Sequence, residues 1–79
     1  MKLPRVSSSF LIKRLKKAGF ELARHQGKGS HTVLFRQDER GQKLLVVVPK
    51  RDILPPGVLL PIMKQARYTR EEFLDLLKG

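Results

Sequence analysis

The chain has 79 residues, room for one domain, and contains no cysteine, which excludes a disulfide framework, thiolate metal sites and cysteine nucleophiles. Seventeen Lys and Arg against seven Asp and Glu give a net charge of +10, and a small domain this basic attracts polyanions. No apolar run approaches the roughly 20 residues that span a bilayer, and the N-terminus lacks the pattern of a secretory signal. The expectation is a single domain over residues 1–79, soluble and cytoplasmic.

The first predicted element is a helix over residues 8–18. Ser7, Ser8 and Ser9 offer capping oxygens ahead of it. Leu11, Ile12, Leu15 and Ala18 recur on one side at helical spacing, and Lys13, Arg14, Lys16 and Lys17 fall on the other. Gly19 is placed to end the helix in the left-handed conformation, with Phe20 packing back after it. Residues 20–26 alternate, with Phe20, Leu22 and Arg24 against Glu21, Ala23 and His25, and read as a strand. Gly27-Lys28-Gly29-Ser30 is a turn. A second strand follows over 31–36, carrying Val33, Leu34 and Phe35, then a turn at Asp38-Glu39-Arg40-Gly41.

A third strand, residues 43–48, is β-branched and apolar and ends at Pro49, which has no N–H to donate. Residues 50–57 read as an irregular connection. A helix is expected from Val58 to about residue 67, with Leu59, Ile62, Met63 and Ala66 on one face. Pro61 is then accommodated in the first turn, where a missing N–H loses no partner. Thr69 with Glu72 three residues on is a capping box opening a short last helix with Phe73, Leu74, Leu76 and Leu77. Three strands joined by short turns make an antiparallel meander, and its apolar residues require helices on one face. The fold class is therefore α+β: an α-β-β-β-α two-layer sandwich of the double-stranded-RNA-binding-domain type, with a short C-terminal helix.

Charge is distributed unevenly along this plan. Residues 1–37 hold nine basic residues and one acidic, a net of +8, whereas the last eleven hold two basic and three acidic. A charge kept only for solubility would be spread evenly. A basic half with a near-neutral tail fits a nucleic-acid or anionic-partner face.

Several stretches resemble the HicA (YcfA-like) toxin family. They are Leu11-Ile12-Lys13-Arg14-Leu15-Lys16-Lys17-Ala18-Gly19-Phe20, Gly29-Ser30-His31, Val46-Val47-Val48-Pro49, Gly57-Val58-Leu59 and Ile62-Met63-Lys64-Gln65-Ala66. The likeness runs from about Ser9 to Leu77. It implies the double-stranded-RNA-binding fold and a metal-independent RNA endonuclease acting on mRNA. It also implies a toxin of a type II toxin–antitoxin system, held inactive by a HicB-type antitoxin. The family's catalytic histidine is the one in Gly-Ser-His, His31 here. Two positions depart from the family pattern. Pro49-Lys50-Arg51 carries no histidine, leaving positive charge there and no second proton carrier, and Val58 replaces a threonine.

RNA carries its own nucleophile, the 2′-OH, so cleavage needs a proton acceptor, positive charge on the phosphate and in-line positioning of the strand. Histidine as a residue type suits the first role, and Arg and Lys suit the second. The residues expected to hold RNA are Arg24, Lys28, Ser30 and Arg36 near His31, the helix residues Lys13, Lys16 and Lys17, and Lys50 and Arg51. His25 and His31 provide two ligands without a carboxylate cluster, fewer than a structural zinc takes, so neither metal nor cofactor is expected. The partners expected are RNA and the antitoxin, the chain being a monomer alone or a hetero-oligomer with that antitoxin. The same charge and fold also suit a module that binds RNA without cutting it, or a basic surface that meets only a protein.

Overall fold

A computed structural model describes residues 3–23 and 31–78. In chain order the elements are α1 (Ser8–Lys17), β1 (Glu21–Leu22), β2 (His31–Gln37), β3 (Lys43–Pro49), α2 (Pro56–Gln65) and α3 (Arg70–Lys78). The strands form one antiparallel sheet in the order β1-β2-β3. This is the α-β-β-β-α layout expected, with α3 as the extra C-terminal helix.

Register explains which side of the sheet is buried. Leu34 faces Val46, Arg36 faces Leu44 and Thr32 faces Val48 across the β2–β3 pair, and residues opposite one another share a face. Leu34, Leu44, Val46 and Val48 are all buried, beneath α1 and α2. The helices contribute Leu11, Leu15, Leu59 and Ile62, and α3 adds Phe73, Leu74 and Leu77. Leu22 is paired with Leu34 yet half exposed, because β1 lies at an edge that the helices do not cover. The alternation expected from Phe20 onward therefore buries Phe20 but not Leu22. Arg24, His25 and Gln26, the rest of that expected strand, and the Gly27–Ser30 turn lie outside the described residues.

The opposite face carries Val33, Phe35, Leu45 and Val47, and among the described residues no helix covers it. Leu45 and Val47 are 50% and 37% exposed, and the Lys43 ammonium sits 4.8 Å from the centre of the Phe35 ring.

Helix ends follow their caps. Ser7 Oγ accepts from the Phe10 N–H at 3.1 Å. Thr69 and Glu72 exchange the two bonds of a capping box, at 2.8 and 3.1 Å. The start of α2 corrects the sequence reading. It begins at Pro56, two residues before Val58, with the N–H groups of Val58 and Leu59 donating to the Pro55 carbonyl. Proline at the first helical position has its φ already set for a helix. Pro61 consequently lies beyond the first turn, where it has no N–H to give the Gly57 carbonyl. Both Gly57 and Pro61 are exposed, so water can serve that carbonyl.

The expected irregular connection is pinned. Leu54 is fully buried and its N–H donates to the Val6 carbonyl at 2.8 Å. Leu3, ahead of the first serine, is also in the core.

Candidate nucleic-acid interface

His31 opens β2, is exposed, and stands opposite Pro49, the last residue of β3. Strand alternation puts it on the same face as Val33 and Phe35, away from the helices. The chain leaving Pro49 runs directly into Lys50 and Arg51, both exposed. Their path is fixed by α1: the Ser8 N–H donates to the Arg51 carbonyl at 3.0 Å, and the Arg51 N–H donates to Ser8 Oγ at 3.2 Å. Ser8 is itself buried, at 8% exposure. A cavity of about 530 Å³ opens here, lined by Ser7, Ser8, Ser9, Lys50, Arg51 and Asp52. It lies at the N-terminus of α1, whose first turn holds no acidic residue. The partial positive charge of a helix start adds there to that of Lys50 and Arg51.

One end of the molecule thus brings together His31, Lys50, Arg51 and the α1 serines. Sequence alone reads those serines as caps; the structure shows that they also line this cavity. Ser9, Lys13, Lys16 and Lys17 are the exposed residues of α1 and form one stripe along it. That stripe leads away from the His31 end, and Lys17 lies about 14 Å along the axis from Ser8. Arg14 leaves the basic face expected of it. It is half-buried, its guanidinium 5.1 Å from the centre of the Phe10 ring. Arg24, Lys28 and Ser30 lie outside the described residues.

Arg36 lies on the other face of β2 from His31. Paired with Leu44, it points to the helix side of the sheet. There Nη1 donates to the Ala18 carbonyl at 2.9 Å, and the guanidinium lies 4.9 Å from the Phe20 ring centre and 6.0 Å from that of Tyr68. It caps the C-terminus of α1 and packs against two aromatic rings. Among the described residues, no three metal-ligating side chains come together.

Residues 9–68 match the family model described as the HicA toxin of bacterial toxin–antitoxin systems. The chain belongs to the HicA toxin family. No curated protein and no solved structure matches it. A HicA toxin acts within a toxin–antitoxin pair, so an antitoxin is its partner. The match takes in α1, the whole sheet, His31, Lys50, Arg51 and α2, and ends at Tyr68. Helix α3 lies beyond it, yet supplies three core residues to this HicA domain. No helix among the described residues is long and apolar enough to cross a membrane.

Proposed function

We propose that this HicA protein is a metal-independent endoribonuclease that cleaves mRNA, with His31 as the catalytic residue and an HicB-type antitoxin restraining it. The observation that carries the reading is the placement of an exposed histidine at a strand start, across from Pro49 and hence beside Lys50 and Arg51. A proton acceptor and phosphate-binding charge then sit on one rim, the combination that ribose-assisted cleavage needs.

In this scheme the His31 imidazole takes the proton of a ribose 2′-OH. The freed oxygen attacks the adjacent phosphorus, the bond to the 5′-oxygen breaks, and that oxygen collects its proton from water, since Lys50 and Arg51 replace any second histidine. The products are a 2′,3′-cyclic phosphate and a 5′-hydroxyl. Lys50 and Arg51 neutralise the phosphate as its charge concentrates, and the stripe of Lys13, Lys16 and Lys17 follows the backbone. Lys28, Ser30 and Arg24, in the segment leading into His31, are proposed to complete the grip on the same phosphate.

The test is an RNA digest with and without chelator, using the chain and its His31→Ala variant. The variant is expected to lose about 10²- to 10⁴-fold in cleavage rate while still binding RNA, and the unaltered chain is expected to cut equally well in EDTA. Cutting that survives His31→Ala, or stops on chelation, refutes the scheme. Binding by the unaltered chain without any cutting makes the protein an RNA-binding module instead.

A further inference from the structure

The end of the molecule opposite His31 holds a second cavity, of about 540 Å³, between the β2–β3 turn and the C-terminus of α2. Arg36, Arg40 and Arg67 line it over a floor of Leu44 and Ala66. Asp38 and Glu39 border it as well, and among the described residues no ion pair joins either of them to Arg36, Arg40 or Arg67. Asp38 Oδ1 is occupied by the N–H groups of Arg40 and Gln42, at 2.9 and 2.8 Å, which close the turn. Arg40 and Arg67, both exposed, therefore line the cavity beside Arg36, whose guanidinium is held by the Ala18 carbonyl and the Phe20 and Tyr68 rings.

Arg67 is held there against its backbone preference. Both α1 and α2 end in the same motif. After α1, the Gly19 N–H donates to the Lys16 carbonyl and the Phe20 N–H to Leu15; after α2, the Arg67 N–H donates to Lys64 and the Tyr68 N–H to Met63. The two segments read Ala18-Gly19-Phe20 and Ala66-Arg67-Tyr68. The middle position needs a positive φ, which is 99° at Gly19 and 59° at Arg67. Glycine takes that conformation freely and arginine does not.

We propose that Arg67 and Arg40, set against the fixed guanidinium of Arg36, hold a backbone phosphate of the RNA at a point remote from the cut. This rests on the RNA-cleaving reading above and extends it. Guanidinium forks match phosphate oxygens in pairs. Six residue steps along β2 separate His31 from Gln37, so the cavity lies about 20 Å from His31. The basic stripe of α1 runs between the two ends and stops one residue short of Ala18, the residue whose carbonyl Arg36 caps. An RNA strand lying along that stripe reaches both sites, and the distal one selects for length of strand.

The experiment measures binding of a single-stranded RNA of about 12 nucleotides by the His31→Ala protein, with and without Arg67→Gly or Arg40→Ala. Arg67→Gly is expected to raise the thermal midpoint, by releasing the strained φ, while weakening binding about tenfold. The slope of log affinity against log salt falls by about 0.7 for each contact removed. Arg40→Ala weakens binding in the same sense. A stabilised Arg67→Gly protein with unchanged affinity and slope overturns the inference, as does a lowered midpoint, which would make Arg67 a structural residue. Arg67-dependent binding of poly-glutamate in preference to RNA also overturns it. Should the His31→Ala parent fail to bind RNA at all, the RNA reading itself falls, an outcome distinct from a failure of the cavity alone.

Discussion

Replacing Arg36 by alanine removes a charge-assisted hydrogen bond to the Ala18 carbonyl and the guanidinium packed against the Phe20 and Tyr68 rings. A hydrogen bond from a charged donor is worth about 1.5–3 kcal/mol. The closer ring contact, at 4.9 Å, adds about 0.5–1 kcal/mol. Arg36 is only half-buried, so water replaces part of what is lost, and the expected destabilisation is about 2 kcal/mol. In a domain of this size each kcal/mol moves the thermal midpoint by about 4–8 °C, so Arg36→Ala should melt roughly 8–16 °C lower. Arg36→Lys keeps the charge but not the planar group that stacks and caps at once, and should recover no more than half of the loss. Thermal and urea melts of the three proteins decide the matter. A midpoint within about 2 °C of the parent for Arg36→Ala, or full recovery by lysine, refutes the structural role. Unchanged melting with lost RNA affinity would return Arg36 to the phosphate-holding group in which its sequence neighbourhood first places it.

Ser7→Ala removes the oxygen that caps α1 and should cost about 1 kcal/mol in a urea melt, with no change in the fold by circular dichroism. Phe73→Ala empties a fully buried position in a helix beyond the family match, and should cost about 3–5 kcal/mol; a loss below about 1 kcal/mol would mean that α3 is not part of the domain's core. His31→Ala, by contrast, changes an exposed strand end and should leave the circular dichroism spectrum of the folded protein intact while lowering cleavage about 10²- to 10⁴-fold.

The sequence made the helices and the last two strands legible because their signals are local. The apolar spacing of Leu11 and Leu15, the Ser7 cap and the Thr69–Glu72 pair all act within one or two turns, and the structure carries each of them. The β-branched run into Pro49 marks β3 to within a residue. What was not legible depends on distant partners. Arg36 looks like any strand arginine until Ala18, Phe20 and Tyr68 meet around it. Leu3 and Leu54 sit in unpatterned stretches and are buried only because the Val6–Leu54 bridge brings the N-terminal segment against the connection before α2. Sequence alone misplaces the start of α2, because Pro61 fits the first-turn position that Pro56 occupies. Of the candidate site, sequence supplied His31 and the residues after Pro49, whereas the link between Arg51 and Ser8 is a long-range contact. The arginine cavity was invisible for the same reason, since Arg40 and Arg67 lie 27 residues apart.

Strand β3 closes one margin of the sheet, and among the described residues no fourth strand pairs with its outward backbone groups. One of them, the Val47 N–H, is occupied instead by Gln65 Oε1 at 2.9 Å. Exposed strand margins with apolar neighbours such as Leu45 and Val47 are templates for stacking one molecule on another, and proteins commonly blunt them with short or charged devices. Here the Gln65 amide from α2 occupies one such group. Gln65 belongs neither to the core nor to the His31 end of the sheet, and Gln65→Ala is expected to show as lost solubility at high concentration, measured by light scattering, before any change in the melting curve.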